Sequence, residues 1–309
     1  MNASRLSGRT WIFACLAIIA MAVSPMRLWA QDSGSNSQDN SSNSKYSQDS
    51  SPNSTYRESG FTLFEEMRGV ESDQGQFAIA DTSIGYMFNQ HVAFDLGEPV
   101  FFARATLPTI QPHMWRINAG DPYGDLRLSF DNPWVDYDTV FTVTVPIHGT
   151  SVLSTGRVGL DWFNHFEHSF GRLTPFVNGG VADGILDTTQ LNQPFRLVQN
   201  FRTLGFVGDV EGGMMFAVAP HLRIGGSYYA LLPAGNQKVY INGVQNLFLL
   251  PPNVTSSNIT HDRGYTGFAR VTLSRYLFAE AAYVHSVPLN DDAATITIGV
   301  DVRSLFGGQ

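Results

Sequence analysis

The sequence predicts an all-β chain, folded as a transmembrane antiparallel up-and-down β-barrel of about twelve strands. Three observations predict it. Side chains alternate in character with a period of two, tight turns alternate with longer connections, and the first thirty residues read as an export leader.

The bulk composition sets the frame. Hydrophobic residues make up 43 % of the 309, enough for a well-buried structure, while charged residues reach only 15 %, below the roughly 25 % of soluble domains. Gly (29), Phe (22) and Tyr (11) are prominent instead, as short strands, tight turns and a partly unwetted surface require. The mean hydropathy of −0.08 is too low for a helical membrane protein, but alternating strands hide their apolarity in such an average. A net charge of −8 argues against nucleic acid as a partner, because phosphate binding rests on clustered Lys and Arg.

Residues 1–30 read as a signal peptide. Arg5 and Arg9 form the basic start, Trp11 to Val23 the apolar stretch, and Ala30 the small residue before cleavage. The apolar run is shorter than the about 20 residues a spanning helix needs. Cys15, the only cysteine, lies inside it. The mature chain is therefore expected to have no disulfide, no thiolate chemistry and no Cys metal site. Residues 31–59 are almost wholly Ser, Asn, Gln and Asp. Such a stretch cannot repay its ordering entropy and reads as a flexible linker. The barrel is expected over 60–309.

From Gly60 onward the period is two. At the C-terminus Ile296, Ile298, Val300 and Val302 oppose Thr295, Thr297, Gly299, Asp301 and Arg303. A helix would mix these sets, whereas a strand separates them. Phe141, Val143 and Val145 likewise oppose Thr142 and Thr144, and Leu126, Leu128 and Phe130 oppose Asp125, Arg127 and Ser129. Strands are expected near 61–71, 77–88, 92–104, 124–132, 138–148, 156–168, 173–184, 203–218, 222–233, 264–274, 277–287 and 294–304, with a total between 10 and 14 left open. Tight turns near 89–91, 133–137, 169–172, 219–221 and 274–276 alternate with the other connections, three of them long. Long external loops and short periplasmic turns are the mark of a transmembrane barrel. Phe88, Trp162, Phe163, Phe166, Phe170, Phe216, Tyr276, Phe278 and Phe306 fall near the short turns or the C-terminus, as an interfacial aromatic girdle would.

With these features the chain resembles Gram-negative outer-membrane barrels of the porin and transporter type. Its hairpins, such as GRVGLDWFNHFEHSFGRLTPFVNGG, are similar to uncharacterised barrels and to those associated with aromatic-compound degradation. The resemblance implies outer-membrane localisation, contact with outer-membrane lipid, and insertion by the barrel-insertion machinery. That machinery reads a terminal aromatic. Here Phe306 is followed by Gly-Gly-Gln, a departure from the pattern.

The face opposite the apolar one carries Asp81, Asp95, Asp125, Arg127, Arg157, Asp161, Asp209, Glu211, Arg223, Arg270, Asp301 and Arg303. These are the candidate lumen-lining residues, and acids and Arg in similar numbers assign no ion preference. Twelve strands fall between the filled eight-strand barrel and the open 16–18-strand porin, so narrow pore and plugged cylinder both stay open. The leading function is a channel or transporter for small solutes, and the apolar NLFLLPPNV loop points to apolar or aromatic ones. A closed structural or adhesion-type barrel with binding loops is the alternative. No cofactor or metal is expected, since His165 and His168 fall on opposite faces of a strand. No enzyme is expected either: His148 near Thr150, Ser151 and Ser154 is the nearest candidate, and neither a nucleophile elbow nor a phosphate-binding loop occurs.

Overall fold

The structure, a computed structural model, describes residues 59–72, 75–105, 116–146, 158–185, 202–234, 237–240, 253–255, 261–274, 277–288 and 290–301. All belong to the unit Pro52–Gln309. The expected signal peptide, the linker apart from Ser59, Arg157, Arg303, His148 and Phe306 lie outside the described residues, as does the NLFLLPPNV loop up to Pro252.

The described strands are β1 (Gly60–Ser72), β2 (Gly75–Asn89), β3 (Val92–Ala105), β4 (Arg116–Ala119), β5 (Tyr123–Asp131), β6 (Asp136–Thr144), β7 (Gly159–Glu167), β8 (Leu173–Ile185), β9 (Arg202–Ala219), β10 (Leu222–Pro233), β11 (Gln237–Tyr240), β12 (Asn253–Thr255), β13 (Asp262–Ser274), β14 (Leu277–Ser286) and β15 (Asp291–Asp301). Twelve of them close a ring. Neighbours pair antiparallel in the order β1, β2, β3, β5, β6, β7, β8, β9, β10, β13, β14, β15, and β15 pairs back with β1. The short β4 extends the pairing of β3, while β11 and β12 extend that of β9. Closure leaves no edge in the ring, so each backbone donor and acceptor there can find a partner without water.

The short turns lie at one end. At two of them an Asn side chain builds the turn, a role for which its amide oxygen is suited. The Asn89 Oδ1 accepts the His91 and Val92 N–H groups at 2.8 and 3.0 Å, and the Asn132 Oδ1 accepts those of Trp134 and Val135 at 2.9 and 3.0 Å. At a third, Gly171 has φ +66°, the left-handed conformation that favours glycine.

Burial runs opposite to a soluble protein. Phe94, Leu96, Leu126, Phe141, Leu160, Trp162, Val177 and Met214 are exposed, whereas Asp81, Asp95, Asp125, Thr142, Asn178 and Glu211 are buried. The outward row Phe61–Tyr86–Phe94–Leu126–Phe141–Trp162 crosses six strands without a charge. Near the short turns the outer rings touch in series: His91 with Phe130 (5.8 Å between centroids), Phe130 with Tyr137 (6.1 Å), and Tyr137 with Phe166 (4.6 Å). This is the geometry of an interfacial girdle. Two aromatics expected in the girdle turn inward instead. Phe163 is buried, and Phe278 lies over Gly299. Nearness to a turn does not decide the face; the parity of the position along its strand does.

Candidate functional site

Because pairing is continuous, inward side chains line up in rows across the strands. One row runs Thr62, Gly85, Asp95, Asp125, Thr142 and Asp161 from β1 to β7. The Thr62 hydroxyl donates to Asp95 at 3.0 Å and the Thr142 hydroxyl to Asp125 at 2.5 Å. Arg127, also inward on β5, reaches Asp95 at 3.3 Å and Asp125 at 3.8 Å. The Tyr123 hydroxyl donates to Asp81 at 3.0 Å.

A second row runs Asp138, His165, Asn178, Glu211 and Tyr229 from β6 to β10. It forms a hydrogen-bonded chain along the wall. Ser227 donates its hydroxyl to Glu211, the Asn178 amide donates to Glu211 at 2.6 Å, His165 Nδ1 meets Asn178 Oδ1 at 2.5 Å, and His165 Nε2 meets Glu167 at 3.2 Å. His168 lies past the end of β7, away from this chain. Among the described residues no three His, Cys, Asp or Glu gather as metal ligands would.

The third row holds Arg223, Arg270, Glu280, Thr297 and Arg68, from β10 round to β1. Here acids meet guanidinium groups directly: Arg270 with Glu280 at 2.8 Å and Arg68 with Glu66 at 3.2 Å. Arg270 also lies 5.5 Å over the Phe278 ring, a cation–π contact.

Glycines shape the same wall. Tyr123 stands directly opposite Gly97, Phe176 opposite Gly213, Phe268 opposite Gly225, Tyr229 opposite Gly264, and Phe278 opposite Gly299. In each pair a Cβ on the glycine would collide with the ring. The rings therefore lie along the wall over the bare backbone, an aromatic rescue of cross-strand glycine. Phe176 and Phe268 thereby meet at 6.3 Å between centroids. These inner-face contacts run along the wall, between strands one to three places apart.

Of the residues expected from the sequence, Asp81, Asp95, Asp125, Arg127, Asp161, Asp209, Glu211, Arg223, Arg270 and Asp301 fall on the inward parity of their strands. The structure brings Asp95, Asp125 and Arg127 together, and it sets Arg223 and Arg270 opposite each other on the other side of the ring. Sequence reasoning missed Glu66, Arg68, Asp138, Glu167, Asn178, Asp262 and Glu280. Glu66 and Arg68 share the inward parity with Phe64 and Val70, so no clean polar face was there to read. Had β1 been aligned to β15 and β2 by register, both would have appeared.

No protein-family model matches the sequence, and no curated protein matches it. Among solved structures the chain is similar to an outer-membrane channel from Pseudomonas putida F1, at 8 % identity over 78 % of this chain and 94 % of that one, with a TM-score of 0.49. It is also similar to the NanC porin, at 7 % identity over 77 % of this chain and 98 % of that one, with a TM-score of 0.43. For the CymD monoaromatic hydrocarbon channel the identity is 6 %, the coverage 81 % of this chain and 89 % of that one, and the TM-score 0.37. The described strands close a twelve-strand ring that is apolar outside and polar inside, as a membrane-spanning barrel requires. By that geometry the chain is a transmembrane β-barrel of the outer-membrane type.

Proposed function

We propose that this barrel is an outer-membrane channel for small solutes, exported through a cleaved leader and conducting along a narrow lumen lined by Asp and Arg. One observation carries the reading further than the sequence could. On the described inward positions carboxylates outnumber guanidinium groups, because Glu66, Asp138, Glu167, Asp262 and Glu280 join the seven acids expected, against Arg68, Arg127, Arg223 and Arg270. A low-dielectric wall with an excess of one sign focuses the field along the bore and concentrates counter-ions there. The channel therefore favours cations over anions.

The lumen is narrow. Asp81, Asn178 and Glu211 are 0 to 1 % exposed, which packed wall side chains explain and a wide aqueous bore does not. This observation also favours the second reading, a closed structural or adhesion-type barrel whose loops do the work.

Single-channel recording of the purified chain in a planar bilayer, under a potassium chloride gradient, tests this. Stepwise currents with a reversal potential of cation-selective sign are expected. Asp125→Asn combined with Glu211→Gln should move that potential toward zero. Silence despite insertion would establish the closed barrel, and an anion-selective sign would overturn the reading of the wall charge.

A further inference from the structure

Among the described residues, one outward row carries carboxylates midway along its strands. Glu65 on β1, Thr82 on β2 and Glu98 on β3 stand directly opposite one another in a single outward row. Thr82 and Glu98 are exposed and Glu65 is half-buried. The Thr82 hydroxyl donates to Glu65 Oε2 at 2.5 Å. The rows on either side are apolar: Leu63–Ile84–Leu96 toward the short turns and Met67–Ala80–Val100 toward the loops.

The row also sits at the middle of the wall. Glu65 is the sixth of thirteen residues in β1, Thr82 the eighth of fifteen in β2, and Glu98 the seventh of fourteen in β3. At about 2.5 Å of height per tilted residue, an apolar band about 25 Å tall extends past them on both sides. Carboxyl groups held there against acyl chains are costly, and no lipid group at that depth can bond them.

We propose that a second copy of this chain covers the row, so that β1, β2 and β3 form a two-fold contact within the membrane. The row is its own complement: Glu, Thr, Glu reads the same in both directions. A two-fold axis through Thr82 sets each end of the row beside the other end of its mate, Glu65 beside the partner subunit's Glu98. Hydroxyl and carboxyl groups then bond across a contact from which lipid is excluded. The outward residues on the loop side permit close approach. Gly69 and Ala78 are directly opposite, Ala80 lies beside them, and a Cβ at Gly69 would meet nothing within 4 Å. Small residues let backbones come together in membranes, and two-fold symmetry is the commonest closed arrangement. The inference stands apart from the channel reading, since a closed barrel would need the same cover.

Disulfide trapping of the full chain, reconstituted in phospholipid vesicles, tests this directly. With Cys15→Ser as background, Thr82→Cys lies on the axis and should give a covalent dimer on mild oxidation, whereas Trp162→Cys, four strands round the wall, should give none. Independently, sedimentation of the cysteine-free chain in density-matched detergent should show a dimer, and Glu65→Leu with Glu98→Leu should abolish most of it. Heat-modifiable migration of that variant confirms that its barrel is intact. A monomer in sedimentation with no cross-link at position 82 would overturn the proposal, as would cross-linking at 162 in place of 82. Because trapping needs only Thr82→Cys, a folding failure of the double Leu variant leaves the inference decidable.

Discussion

Two glycines on β13 show how differently the two faces of one wall are made. Gly264 faces inward, where an added Cβ would strike the Tyr229 ring and the His285 carbonyl; Gly267 faces outward, where it would meet nothing within 4 Å. The same contrast holds for polar groups. Inward Asp95, Asp125 and Glu211 are buried and bonded to neighbours on other strands, while outward Phe94, Leu126 and Phe141 are exposed and interchangeable in character. The inner face is built from specific pairs, the outer from a general solvent preference. A substitution inside should therefore cost according to the partner it deprives, and one outside according to what it shows the lipid.

The largest effect is expected at Arg127. Its guanidinium serves both Asp95 and Asp125, and all three are buried. Removing one member of a buried ionic group leaves the others charged and unsolvated, which costs about 3–5 kcal/mol. Arg127→Ala should lose about that much in reversible urea unfolding from lipid vesicles. A loss below 1 kcal/mol would mean that water reaches this arc freely, and the distinction between the faces would weaken there. Outside, Leu126 sits mid-strand among Phe94 and Phe141, its partners in register. Leu126→Lys places an ammonium against hydrocarbon and should cost about 2–4 kcal/mol in the same assay. The apolar change Leu126→Ile should leave stability almost untouched. If the lysine were tolerated equally well, the outer row would not face lipid.

Much of this was legible in the sequence because strand parity is a local property. The alternation in Asp125–Phe130 and Thr295–Asp301 assigns faces and, continued along the chain, locates all twelve ring strands, while the sorted connections mark the ring as a membrane barrel. What alternation cannot supply is register, the pairing of residues distant along the chain. Tyr229 lies over Gly264 and Thr62 bonds Asp95 only because of how the strands are staggered. Where both parities hold mixed residues, as in Phe64-Glu65-Glu66-Met67-Arg68, the face itself was hidden. Glu66 and Arg68 turn inward while Glu65 turns outward, a distinction that composition does not carry. The misassigned Phe163 and Phe278 fail for the same reason, since an aromatic is at home on either face of such a wall.

The two glycines of β13 give the smallest and cleanest comparison, because strand, residue type and substitution are shared. Gly264→Ala forces Tyr229 off its seat, and Tyr229 in turn contacts Asp262 at 3.4 Å. Overpacking of this kind costs about 1–3 kcal/mol. Gly267→Ala meets open space in an extended strand that alanine adopts freely, and it restricts the unfolded chain. It should therefore be neutral or stabilise by about 0.4–1 kcal/mol. The two variants thus differ in sign, and paired urea titrations would read the difference without any absolute stability. Removing the ring adds a further control: in a Tyr229→Ala background the cost of Gly264→Ala should fall, while the effect of Gly267→Ala should not change. If both costs stayed the same, the collision would lie with the His285 carbonyl alone, and the inner face would be specified by its backbone instead of by its paired side chains.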